Sequence, residues 1–114
     1  MGELKQISEL EISDSSVSLC QALMSAKNVE DCYRYLCDLC TPAERKSLEE
    51  RWLVALMLYN TDKSYRQIHE DTGVSIATIT RVARFLFHEN YAGYKIIIDT
   101  INARREKDSS VAQG

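Results

Sequence analysis

Residues 64–85 constrain this chain more than any other stretch: Ser64-Tyr65-Arg66-Gln67-Ile68-His69-Glu70-Asp71-Thr72-Gly73-Val74-Ser75-Ile76-Ala77-Thr78-Ile79-Thr80-Arg81-Val82-Ala83-Arg84-Phe85. Two short helical patterns flank Gly73, where a tight turn needs a residue that tolerates positive φ. Ser64 is placed to N-cap the first helix, with Gln67 closing a capping box, and Ser75 is placed to cap the second. Ile68, Val74, Ile79 and Val82 have the spacing that packs two such helices on each other and on a core. Ile76, Ala77, Thr78, Thr80, Arg81 and Arg84 are then left on or near the presented side of the second helix. With Ser75 at the cap, they suit the major groove: small and β-branched side chains approach base edges and thymine methyls, and Arg donates to phosphate or guanine. No Asp or Glu lies between Val74 and His88 to repel phosphate. The stretch reads as a helix-turn-helix; the plainer alternative is an ordinary helical hairpin.

At 114 residues the chain reads as one domain, and with no strand-period segment longer than a few residues it reads as all-α. A hydrophobic content of 45% allows a core, but chains this short often gain stability by oligomerising. The formal net charge of -3 argues against indiscriminate coating of nucleic acid. Its distribution is uneven: residues 1–62 carry 6 basic and 11 acidic side chains, residues 63–114 carry 8 and 6. An acidic body behind a mildly basic reading head suits a selective binder. No apolar run is long enough for a membrane span and no cleavable signal is visible, so a cytoplasmic protein with no membrane partner is expected. Of Cys20, Cys32, Cys37 and Cys40, the Cys37-x-x-Cys40 pair has half a zinc site's spacing, but no second pair follows and His69 and His88 have no partner His. Core packing as free thiols is favoured over disulfides or metal, and no cofactor is expected.

Along the chain, residues 1–14 read as an arm of polar composition, 15–104 as the helical domain, and 105–114 as a polar tail without fixed structure. Helices are expected over 15–27, from Asn28 to about Leu39, from Pro42 to about Asn60, across the two arms of the turn motif, and from about Tyr91 to Arg104. Thr41-Pro42-Ala43-Glu44 is a capping box with Pro at the first helical position. The helix that follows is apolar on most sides, through Leu48, Trp52, Leu53, Val54, Ala55, Leu56, Met57, Leu58 and Tyr59. Such a helix must be buried all round, which suggests the centre of a dimer.

At Thr41-Pro42-Ala43-Glu44-Arg45 and Ile76-Ala77-Thr78-Ile79-Thr80-Arg81 the chain resembles the bacterial Trp repressor family, over about residues 15–103. Tyr91-Ala92-Gly93-Tyr94-Lys95 is more similar to a Trp repressor-like branch than to the tryptophan repressor itself. The resemblance implies an intertwined homodimer of about six helices per subunit. It also implies an effector pocket between the dimer core and the reading helix, with Arg51 and Arg81 at the positions that flank the ligand. Arg51 has the alternative of a salt bridge to Glu49 or Glu50, and Arg81 that of a phosphate contact. Three departures count against L-tryptophan: Phe85 stands where the repressor has a small serine, Val82 where it has glycine, and Asp38 where it has an apolar residue. Phe and Val add volume that fills such a pocket. Arg51 and Arg81 still suit a small anionic effector through a bidentate fork.

The leading reading is therefore a dimeric transcription regulator, of repressor type by resemblance, bound to double-stranded DNA. The resemblance adds Arg66 to the candidate contacts. The alternative is a protein-interaction or adaptor module that keeps a degenerate turn motif. Enzymatic function has least support, since no Cys-His or Ser-His-Asp spacing is present and Glu49-Glu50 reads as a solvated face.

Overall fold

The computed structural model describes residues 12–113, with side chains through residue 109. It contains six helices: α1 (Asp14–Met24), α2 (Val29–Leu39), α3 (Pro42–Asn60), α4 (Tyr65–Thr72), α5 (Ile76–Phe87) and α6 (Gly93–Gln113). No strand is present among the described residues. The arm expected over residues 1–14 falls mostly outside them. The chain divides into two compact units inside α3, between Glu50 and Arg51.

The N-terminal unit is built from capped helices. Ser13 accepts from the Ser16 N–H to start α1, and Asn28 accepts from the Asp31 N–H at 2.8 Å to start α2. Asn28 is thus the break the composition suggested, and α1 ends slightly early, at Met24. At α3 the capping box is complete: the Glu44 N–H donates to Thr41 Oγ1 at 3.1 Å, and the Thr41 N–H donates to Glu44 Oε1 at 2.8 Å. The backbone donor of Thr41, then its hydroxyl, hold the Glu44 carboxyl below the usual glutamate range. Arg45 Nη1 donates to the Cys40 carbonyl and its guanidinium lies 6.0 Å from the Tyr33 ring, tying α3 to α2.

None of this unit's described residues is buried. Met24 and Val29 are each 85% exposed, and Tyr33, Leu39 and Leu48 are exposed too. The expectation of cysteines packed in a core is not met in the single chain: Cys20 is exposed and Cys32, Cys37 and Cys40 are half-buried, all as free thiols. The reason is that these helices close no core of their own.

The C-terminal unit holds the core. Val54 and Ala55 of α3, Ile68 of α4, Val74 of the turn, Ile79 and Val82 of α5 and Ile98 of α6 form one buried cluster. Full burial of each branched side chain contributes about 1.5–3 kcal/mol. Trp52, Leu56, Met57 and Tyr94 pack partly buried against it. Leu53 stays 43% exposed, so α3 is not covered all round within one chain. The far end of α3 is clasped to α6 by polar contacts. Tyr59 Oη donates to Asp99 at 2.7 Å, and the amides of Asn60 and Asn102 exchange hydrogen bonds.

α6 differs from expectation at both ends. It begins at Gly93, because Ala92 adopts a left-handed φ of 57 that ends any helix through it. It continues to Gln113 across the segment expected to be an unstructured tail. No Pro or Gly interrupts residues 94–113, and Ala103, Arg104, Arg105, Glu106 and Lys107 are strong helix formers.

Candidate nucleic-acid interface

The turn motif forms by the local chemistry its sequence announces. The Gln67 N–H donates to Ser64 Oγ at 3.1 Å and the Ser64 N–H donates to Gln67 Oε1 at 2.7 Å, closing the box at the start of α4. α4 ends at Gly73, whose φ is 76 and whose N–H donates to the His69 carbonyl at 2.8 Å. Nothing lies within 4 Å of where a Cβ would stand on Gly73. The requirement for glycine there is conformational, not steric. Two further contacts stiffen the turn: Thr72 Oγ1 accepts from the Val74 N–H at 3.1 Å, and His69 Nδ1 lies 2.7 Å from the Val74 carbonyl. A carbonyl only accepts, so His69 carries its proton on Nδ1.

Ser75 caps α5, accepting from the Thr78 N–H at 3.2 Å while its hydroxyl donates to Thr78 Oγ1. α5 then splits by face. Ile79, Val82, Ala83 and Leu86 are buried. Ser75, Ile76, Ala77, Thr80, Arg81 and Arg84 are exposed and Thr78 is half-buried. An apolar side chain at 45% exposure, Ile76, on the leading turn of an acid-free helix suits contact with thymine methyls.

Three arginines flank this surface. Arg66 of α4 is ion-paired with Glu70 at 3.1 Å, its side chain 87% exposed. Arg84 is paired with Glu89 at 2.9 Å. Arg81 makes no ion pair; its guanidinium lies 4.7 Å from the centre of the Phe85 ring.

Phe85 also lines an open apolar groove of about 510 Å³ with Trp52, Tyr91, Gly93, Tyr94 and Ile97. The Phe85 and Tyr91 rings stack with centroids 6.4 Å apart. Of the residues expected around an effector, the structure brings Arg81 and Phe85 together. Val82 is instead wholly buried in the core. Arg51 is half-buried, forms no ion pair with Glu49 or Glu50, and does not line the groove. Asp38 is exposed on α2 of the N-terminal unit, beside Glu30, Tyr33, Arg34 and Cys37. Sequence reasoning missed the groove's aromatic walls and the acids that hold Arg66 and Arg84. The Arg66–Glu70 spacing of four was a readable helical pair; Arg84–Glu89 crosses a helix end and was not.

Among the described residues, no three His, Cys, Asp or Glu side chains are gathered to hold a metal ion. No helix there is long and apolar enough to cross a membrane.

A capped bihelical motif whose second helix carries an exposed, acid-free face defines a helix-turn-helix protein. The chain belongs to the Trp repressor family: the profile of the Trp repressor protein matches residues 15–102. It is 40% identical over 92 residues to Bacillus subtilis "Uncharacterized protein YerC", covering 81% of this chain and 86% of the relative. A crystal structure of a TrpR-like protein from Eubacterium eligens superposes with a TM-score of 0.73 at 36% identity, covering 83% of this chain and 95% of that one. A second crystal structure, from Staphylococcus aureus, gives 0.74 at 37% identity over 86% and 95%.

Proposed function

We propose that this protein is a sequence-specific DNA-binding transcription regulator that acts as a homodimer. The observation that carries the reading is the exposed face of α5, capped by Ser75 and free of acids. Ile76, Ala77, Thr78 and Thr80 contact base edges or the sugar-phosphate wall; Arg66 and Arg84 hold phosphate; Arg81 serves phosphate or the groove behind it. The exposed apolar side chains of the N-terminal unit support a second copy as their cover. Two reading helices related by a two-fold axis select paired half-sites about one helical turn apart.

L-tryptophan is not the effector in this reading. The Phe85 ring already lies over Arg81, where a planar ligand would gain its cation contact. Selection of bound duplexes from a random pool tests the proposal. Enrichment of a two-fold-symmetric sequence is expected. A protein that retains no duplex above random competitor would favour an adaptor role instead.

A further inference from the structure

We propose that Glu89 is a positioning residue for DNA contact: it holds the Arg84 guanidinium by Nε and leaves the terminal nitrogens for a phosphate. The inference rests on the DNA-binding reading above. Arg84 Nε donates to Glu89 Oε1 at 2.9 Å, and neither terminal nitrogen of Arg84 forms a hydrogen bond. Arg34, on α2, is held differently. Its Nε and Nη2 both donate to Glu30 Oε1, at 3.1 and 2.8 Å, which engages one terminal nitrogen as well. Arg34 thus has one terminal nitrogen engaged, whereas Arg84 has both open.

The acid that holds Arg84 is itself fixed. The Glu89 N–H donates to the Arg84 carbonyl at 3.1 Å, sharing that oxygen with the His88 N–H at 2.9 Å. This places the carboxylate just past the last turn of α5. The Glu89 side chain is 30% exposed against 69% for Arg84, so the anchor is the more sheltered partner. The Phe85 ring lies 6.0 Å from the Arg84 guanidinium carbon, on the far edge of cation–π range. An arginine that grips phosphate from free solution loses its rotamer freedom in doing so; one already held has less to lose.

Glu89 is also the first acid after the acid-free stretch from Val74 to His88. Charge alone would make it a liability beside DNA, repelling phosphate. Positioning and repulsion therefore predict opposite signs when Glu89 is truncated, and the sign decides between them.

The test uses the full chain, unmutated and as Glu89→Ala and Glu89→Gln, with a duplex selected from a random pool at fixed salt. Exchange of the Arg84 Nε proton with water is followed by NMR. Positioning predicts that Glu89→Ala binds about three- to tenfold more weakly although it removes a negative charge. Glu89→Gln, which keeps the acceptor, binds at least as tightly as the unmutated chain. The Nε proton exchanges slowly in the unmutated and Gln proteins and rapidly in the Ala protein. Equal or tighter binding by Glu89→Ala overturns the proposal, as does equal weakening of both variants. Rapid Nε exchange in the unmutated protein overturns it with no substitution made. A protein that binds no duplex at all removes the DNA-binding reading and this role with it. Slow exchange together with unchanged binding by Glu89→Ala removes this role alone.

Discussion

Among the described residues, two left-handed backbone positions carry opposite residues. Gly73, at φ 76, suits its conformation, while Ala92, at φ 57, pays for a Cβ in a region that L-residues avoid. Gly73→Ala should destabilise the fold by roughly 1–2 kcal/mol through conformation alone, since the site is sterically open. Gly73→Asn should cost less, because Asn tolerates this region. Ala92→Gly should be neutral or stabilising by up to about 1 kcal/mol, as strain relief opposes unfolded-state entropy. Urea midpoints at constant m-value check all three; a Gly73→Ala protein as stable as its parent would contradict the turn geometry. Among side chains, Arg66, Arg81 and Arg84 in the two subunits of the proposed dimer would offer phosphate contacts enough for a log K against log salt slope of about -5. Arg84→Ala should flatten that slope by about 1–2 and weaken all sequences alike, while Thr80→Ala should alter sequence preference more than slope. Titrating binding against salt separates these outcomes.

At the scale of elements, the clasp between α3 and α6 gives a pH dependence with a definite sign. The hydrogen bond to Asp99, with burial and the Asp99 charge adding to it, raises the Tyr59 hydroxyl above the usual tyrosine value of 10.0. A group raised in the folded state contributes stability below its unfolded value and loses it as pH climbs through the folded one. Tyr59→Phe should therefore remove a component of the alkaline melting curve above pH about 10. A Tyr59→Phe curve parallel to its parent's from neutral to alkaline pH would show that the clasp does not titrate. The capping box of α3 has the opposite sign: the lowered Glu44 carboxyl contributes above the usual value of 4.5 and is lost as pH falls below it. These caps were legible in the sequence because each joins residues three apart: Thr41 with Glu44, Ser64 with Gln67, Ser75 with Thr78. The face of α5 was legible for a similar reason, since 3.6-residue periodicity sorts Ile79 and Val82 from Thr80 and Arg81. The aromatic groove was not. Trp52, Phe85 and Tyr94 come from three helices, and no spacing rule links them. The start of α6 was misplaced because nothing in Tyr91-Ala92-Gly93 marks Ala92, rather than Gly93, as the left-handed residue.

The whole molecule is asymmetric in how well it covers its own apolar surface. The C-terminal unit encloses a cluster from four helices and the turn, while the N-terminal unit buries no described residue. Helices so poorly covered are marginal in water. A dimer sedimenting at twice the 13.0 kDa chain mass at micromolar concentration is the expected state. Trp52→Ala should lower both its stability and its dimer fraction, by up to about 3–5 kcal/mol if the second copy completes burial of the ring. A monomer by analytical ultracentrifugation would refute this and leave the exposed N-terminal helices without a cover. In the proposed function, control of DNA binding belongs to the same scale, because it would depend on what lies behind α5. Phe85 meets Arg81 on one side and shares the groove with Trp52, Tyr91 and Tyr94. L-tryptophan at millimolar concentration should give no saturable heat in calorimetry and no gain in DNA affinity; one site per subunit with tighter DNA binding would reverse that conclusion. Val82 cannot serve as the converse test, because it is fully buried and Val82→Gly would open the core. Phe85→Ser can, since that side chain borders the groove and its loss frees the face of Arg81. If ring volume closes the site, the Phe85→Ser protein should acquire measurable heat with an indole-bearing amino acid. If it acquires none, the groove is not an effector site of that kind, and the reading helices are held for DNA by the protein alone.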